Sequence, residues 1–166
     1  MISSRKLVWY GAVWAMTALG ATLPAIASED APLPVPRFAS LKSDEVNMRV
    51  GPGVRYNINW VYRHEGLPVE ITREFGEWRK IRDADGTSGW VHKQMLQGKR
   101  TMIITQKIGI LRKSPDMAGV PVLKAEHNVT GKLLSCESDW CKVQISDRKG
   151  WIRKGDIWGA FKDEKF

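Results

Sequence analysis

Beyond residue 45 the chain alternates between apolar and polar side chains. Val46, Met48 and Val50 are separated by Asn47 and Arg49, and Leu67, Val69 and Ile71 are separated by Pro68 and Glu70. A period of two predicts strands with one face buried. Asp85-Gly86 sits between the runs Trp78–Arg82 and Ser88–His92, which predicts a hairpin. Gly51-Pro52-Gly53 ends the first strand and opens a loop. No stretch after residue 27 sustains a helical period, so the pattern predicts an all-β protein.

The N-terminal pattern differs. Arg5 and Lys6 precede a stretch from Leu7 to Ala27 without a single charge, closed by Pro24 and the small-x-small site Ala25-Ile26-Ala27. Together these predict a signal peptide over 1–27, cleaved after Ala27, and hence a periplasmic or secreted protein. A retained anchor is the competing reading, because about 20 apolar residues span a bilayer; Pro24 and the cleavage site argue against it. Membrane contact is then expected only through an uncleaved signal segment. Over 28–39, Pro32, Pro34 and Pro36 alternate with Leu33 and Val35, which predicts an extended Pro-rich linker.

An internal repeat organises the remainder. Asn47-Met48-Arg49-Val50-Gly51-Pro52 recurs as Ile110-Leu111-Arg112-Lys113-Ser114-Pro115, Glu77-Trp78-Arg79-Lys80-Ile81 as Asp139-Trp140-Cys141-Lys142-Val143, and Gly89-Trp90-Val91 as Gly150-Trp151-Ile152. Three anchors in one order define two copies, 40–98 and 99–160, followed by a charged tail over 161–166. Modules of about 60 residues with a few short strands close into small barrels rather than flat sheets. Their cores are small, so Trp90 and Trp151 are expected to be core pieces.

These motifs resemble a known family. Val46-Asn47-Met48-Arg49-x-Gly51-Pro52-Gly53, Gly76-Glu77-Trp78-x-Lys80-Ile81 and Gly89-Trp90-Val91 resemble the bacterial SH3 (SH3b) module. The second copy resembles it with the Gly-Pro-Gly loop replaced by Lys113-Ser114-Pro115-Asp116. The ending, Gly150-Trp151-Ile152 through Asp156-Ile157-Trp158-Gly159, is similar to exported tandem SH3-domain proteins of Gram-negative bacteria. The resemblance implies two tandem SH3-like β-barrels and a targeting role, often exercised on the peptide stems of peptidoglycan.

Charge and composition narrow the partners. The 166 residues carry a net charge of +8, and losing Arg5 and Lys6 with the signal segment leaves +6. A basic protein favours anionic partners; export makes an anionic envelope the expected one and nucleic acid not expected, since binding it requires the export reading to be wrong. The basic pairs Arg79-Lys80, Lys99-Arg100, Arg112-Lys113 and Arg153-Lys154 are scattered, which fits a solvated surface as well as an envelope-facing one.

Cys136 and Cys141 are the chain's two cysteines. If Glu137-Ser138-Asp139-Trp140 forms a hairpin tip, the pair faces across it within disulfide reach. By the repeat, the first copy has Glu74 and Arg79 there, an opposite-charge pair suited to facing positions. A metal site would need further ligands, and His64, His92 and His127 show no ligand spacing. A catalytic Cys–His pair remains the third reading.

Five aromatic residues are ligand-groove candidates. Trp78 shares a strand face with Lys80 and Arg82 and opposes Ile81, so Trp78 and its counterpart Trp140 either line a groove or fold over a loop to extend the core. Tyr56, Trp60 and Tyr62 belong to the first copy; Val122 and Lys124 lie near the equivalent places in the second. They point to the first copy as the binding one, with plugging of the barrel as the alternative.

No nucleophile-elbow, zinc-protease or phosphate-loop motif is present. The expected function is therefore a non-catalytic exported binding or adaptor protein, without cofactor or metal, for a peptide, a peptidoglycan stem or an envelope protein. The alternatives are a purely structural envelope component and a cell-wall hydrolase.

Overall fold

The computed structural model describes residues 33–166; the signal segment 1–27 and the start of the linker lie outside the described residues. The first barrel contains β1 (Arg37–Leu41), β2 (Val46–Arg49), β3 (Ile58–Tyr62), β4 (Pro68–Phe75), β5 (Trp78–Arg82), β6 (Ser88–His92) and β7 (Leu96–Gln97), side by side as β3-β2-β6-β5-β4-β1-β7. The second contains β8 (Thr101–Ile104), β9 (Ile108–Arg112), β10 (Pro121–Glu126), β11 (Thr130–Glu137), β12 (Trp140–Ile145), β13 (Arg148–Arg153) and β14 (Ile157–Trp158), as β10-β9-β13-β12-β11-β8-β14. Adding seven to each label converts one order into the other. The repeat in the sequence is a repeat in space, and all pairing is antiparallel.

Each sheet curls around its own core. In the first, Leu41, Val46, Met48, Val69, Ile71, Ile81 and Val91 are buried together. In the second, Met102, Ile104, Leu111, Leu133, Val143 and Ile152 fill the corresponding space. Alternation sorted the inward faces as the sequence predicts, but Pro68 and Glu70, the separators in β4, are buried as well, and two further departures stand out. Val50 lies beyond the end of β2 and is 60% exposed. Trp90 and Trp151 are only half-buried and belong to neither core.

The glycine before each Trp explains that correction. A Cβ on Gly89 would sit 2.6 Å from Met48 Cγ and 2.8 Å from the Arg49 carbonyl oxygen; on Gly150 it would sit 2.9 Å from Leu111 Cβ. The inward position therefore admits glycine only. Val91 and Ile152 take the next inward place, and alternation turns Trp90 and Trp151 outward. There they lie opposite Lys80 and Lys142 in register, with the Lys142 ammonium 5.9 Å from the Trp151 ring centre. The repeated arginine of β2 and β9 is likewise structural: Arg49 donates to the Val54 and Tyr56 carbonyls and Arg112 to that of Gly119, bracing the loop that follows each strand.

Both ends of the folded region extend beyond the sequence boundaries. The first barrel begins at Arg37 rather than residue 40, because Arg37, Phe38 and Ala39 pair with Ile71, Glu70 and Val69. The charged tail is part of the second barrel. Phe166 and Cys136 exchange both backbone hydrogen bonds, Arg100 makes a two-toothed contact with Glu164, and the buried Lys154 Nζ donates to the Lys162 and Glu164 carbonyls. The Glu164 carboxyl is pulled two ways: burial raises its pKa, but hydrogen bonds from Arg100 and the Phe161 N–H and the charges of Arg100 and Lys154 hold it below the ordinary range. Phe38 of β1 meets Trp158 edge-on at 5.2 Å and Phe161 at 4.7 Å, and Arg82 lies 5.4 Å over Trp158. This aromatic junction joins the barrels.

Candidate functional site

A cleft of about 320 Å³ opens where the end of β3, the start of β4 and the turn after β5 face the second barrel. Trp60 and Tyr62 form its aromatic wall, Leu67 and Pro68 its apolar side, and Asp83 and Asp85 its acidic side; Ile103 and Asn128 come from the second barrel. Trp60 is 53% exposed, whereas Tyr62 is buried, and their ring centres are 6.4 Å apart. An indole held open to solvent beside a packed phenol supplies a flat apolar surface on a rigid support.

The floor is a polar knot. Tyr62 Oη donates to Asp83 Oδ2 at 2.8 Å, while Asp83 Oδ1 accepts the N–H groups of Thr87 at 2.8 Å and Asp85 at 3.2 Å. These bonds tie the turn Asp83–Thr87 to β3, with Gly86 at φ +86° closing it. Burial, then the hydrogen bond to Asp83 and the negative fields of Asp83 and Asp85, push the Tyr62 phenol far above its ordinary pKa of 10.0.

The structure separates the five aromatic candidates. Trp60 and Tyr62 share the cleft, and Tyr62 is at once cleft wall and core residue. Tyr56 lies over the Gly51-Pro52-Gly53 loop, where its ring would be 2.5 Å from a Cβ on Gly51. Trp78 is half-buried at the β4–β5 hairpin and meets His92 edge-on at 5.5 Å. Trp140 occupies the matching place beside the β11–β12 hairpin, paired with Glu137 and Arg153. Asp83 is the site residue that strand alternation does not point to; the Asp-x-x-Gly pattern it opens signals only a hairpin.

Strand register identifies the counterparts in the second barrel. Trp60 faces Met48 as Leu123 faces Leu111, and Tyr62 faces Val46 as Ala125 faces Gly109. Trp60 and Tyr62 thus correspond to Leu123 and Ala125, one residue beyond Val122 and Lys124. Ile81 faces Gly89 as Val143 faces Gly150, which places Asp83 against Ile145. Trp60, Tyr62 and Asp83 of the first barrel are thus all replaced by apolar residues in the second, whose matching turn keeps one exposed carboxylate, Asp147.

At the hairpin tips the repeat holds with different chemistry. Cys136 and Cys141 are directly paired and bonded, with Cα atoms 4.1 Å apart, so neither cysteine of the chain is a free thiol. Glu74 and Arg79 are the directly paired counterparts, bridged at 3.0 Å, and Glu74 also takes Arg37. Among the described residues no cluster of three His, Cys, Asp or Glu side chains could hold a metal, and His64, His92 and His127 lie in separate places, His92 ending β6 and the other two in connections between strands.

Two copies of one small antiparallel barrel, with a cleft beside the first, define a tandem SH3-like architecture. The family profile of the bacterial SH3 domain matches residues 42–98 and 105–159, and the chain belongs to that family. Among curated proteins it is 26% identical over 126 residues to Bacillus subtilis (strain 168) YrvJ, a protein named as an N-acetylmuramoyl-L-alanine amidase, covering 69% of this chain and 24% of YrvJ. The chain thus spans about a quarter of that relative. Among solved structures it is similar to NlpC2 from Trichomonas vaginalis (12% identity, TM-score 0.36, 79% of this chain and 51% of that one). It is also similar to an NlpC/P60 family protein from Bacillus cereus ATCC 10987 (15% identity, TM-score 0.33, 73% and 55%).

Proposed function

We propose that this chain is a non-catalytic exported binding protein whose first SH3 domain grips an extended peptide, such as a peptidoglycan stem or a segment of an envelope protein, in the Trp60 cleft. The observation that carries this reading is the exposed Trp60 indole standing on the Tyr62–Asp83 knot beside an open, ligand-sized cleft. The SH3 family membership supports a recognition role, and the Cys136–Cys141 bridge supports an oxidising compartment outside the cytoplasm. A cell-wall target also agrees with the name of YrvJ, an amidase acting by that name on muramoyl-alanine bonds.

That name is also the one observation favouring a hydrolase. Against it, the match covers a quarter of YrvJ, and the chain has no free thiol to serve as a cysteine nucleophile. The test is co-sedimentation of the purified protein with insoluble peptidoglycan across a salt series, with Trp60→Ala beside the parent. Salt-resistant binding by the parent and its loss in Trp60→Ala is the expected outcome, because a stacking contact survives screening that abolishes charge attraction. Binding that salt removes equally from both proteins would overturn the cleft as the site. Release of soluble muropeptides would overturn the non-catalytic reading.

A further inference from the structure

Within this one chain the second barrel is a control for the first. It closes the same sheet order with Leu123, Ala125 and Ile145 where the first has Trp60, Tyr62 and Asp83. The fold therefore does not require a carboxylate at this position. An apolar side chain satisfies it without the desolvation that a buried charge brings. Asp83 is only 8% exposed, yet no lysine, arginine or histidine lies within ion-pair distance of it among the described residues. Its three hydrogen bonds come from neutral donors, so its charge is solvated but not cancelled.

The neighbouring charges do not cancel it either. Arg63 and His64 also line the cleft, but the Arg63 guanidinium is bound to Glu45 at 3.0 Å and His64 Nδ1 lies 2.8 Å from its neighbour Glu65's carbonyl. Arg82, next to Asp83, is bound to Glu70. Asp85, exposed on the same wall, adds a second negative charge. The fields of both carboxylates reach the Tyr62 hydroxyl at the floor. A protein with a net charge of +8 thus holds a locally negative cleft, with an open indole face beside it.

We infer that the cleft is built to take a cationic group, and that the ligand of the first barrel is an extended peptide carrying a primary ammonium. The inference rests on the peptide-binding reading above and specifies its ligand. The indole face of Trp60 attracts the ammonium and its methylene stem, and Asp83 and Asp85 supply the opposite charge. Leu67 and Pro68 offer apolar contact for the flanking chain, and Asn128 of the second barrel offers an amide at the rim. The second barrel, with Leu123, Ala125 and Ile145 in these places, lacks the buried carboxylate and the open indole, and its exposed Asp147 lies 3.9 Å from Arg148, so it does not share the preference.

The experiment uses two capped peptides that differ in one charge: Nα-acetyl-Ala-Lys-Ala amide and the same peptide with Nε-acetyl-lysine. Each is titrated into the purified full chain, with binding followed by calorimetry and by the fluorescence lost in Trp60→Phe. Asp85→Asn is the companion variant, because Asp85 is exposed and its side chain holds no part of the fold. The expected result is binding of the lysyl peptide about tenfold or more tighter than its acetylated form, with the gap narrowed by Asp85→Asn. Equal binding of the two peptides would overturn the ammonium preference and leave peptide recognition standing. Binding of neither peptide, while peptidoglycan still sediments the protein through Trp60, would overturn the ammonium preference and leave the cleft as a site for another ligand. Binding of neither, with no dependence on Trp60 in sedimentation, would overturn both.

Discussion

Tyr62→Phe removes one oxygen from the interior and leaves Asp83 with two donors instead of three. The ring keeps its place in the first core, so packing is retained, and the change removes the bond to Asp83 together with the weak 3.6 Å contact of the hydroxyl with Met48 Sδ. A hydrogen bond to a charged group contributes about 1.5–3 kcal/mol, so the variant should be about 2 kcal/mol less stable at neutral pH. That corresponds to a fall in Tm of roughly 6–10 °C, and to a lower urea midpoint with an unchanged slope. The pH dependence supplies a second reading. The folded-state pKa of Tyr62 lies above its unfolded value of 10.0, so its contribution is complete below pH 10 and is lost as pH rises toward the folded value. Above pH 10 the parent should therefore lose up to about 1.4 kcal/mol more per pH unit than Tyr62→Phe, and the two curves should converge. Urea melts of both proteins between pH 7 and 11 measure this. A variant within about 0.5 kcal/mol of the parent at pH 7, or parallel curves above pH 10, would refute the knot as described.

Three further outcomes follow from the packing. Gly89→Ala should destabilise the first barrel by about 1–3 kcal/mol, because its Cβ meets Met48 and the Arg49 carbonyl; thermal melting checks it, and a neutral result would contradict the inward glycine. Replacing both Cys136 and Cys141 with Ser should remove about 2 kcal/mol through the short loop they close, as should reductant on the parent, read by urea denaturation. Glu164 has a depressed pKa in the fold, so its contribution is present above 4.5 and is lost as pH falls through the folded value. Glu164→Gln should flatten the acid limb of the stability curve, and an unchanged limb would show that the tail is not held by that carboxylate.

The barrels were legible because strand alternation and the repeat both report on one buried face and one sheet order. The disulfide position was legible because the repeat placed Glu74 and Arg79 in the same facing register as Cys136 and Cys141. The orientation of Trp90 was not: its hydrophobicity suggests the core, while the decisive fact is the space left at Gly89 by Met48, some forty residues earlier in the chain. The docking of the tail is not legible for a similar reason. Six residues rich in charge look solvated, yet Glu164 finds Arg100 and Phe166 finds the backbone of Cys136 only after folding. Of the cleft, Trp60 and Tyr62 could be named from alternation. Asp83 could not be linked to Tyr62, because nothing local in the sequence brings those two positions together.

The hairpin tips carry one more consequence. Register places Glu74 opposite Arg79 as it places Cys136 opposite Cys141, on matching strands of matching sheets. The chain therefore contains, in its own second half, a worked template for cross-linking its first. Cysteines at positions 74 and 79 would inherit a backbone arrangement that already accommodates a covalent bridge elsewhere in the molecule. The first domain could be stapled without altering a residue of the Trp60 cleft, so that what the cleft binds and how firmly its scaffold is held become separately adjustable.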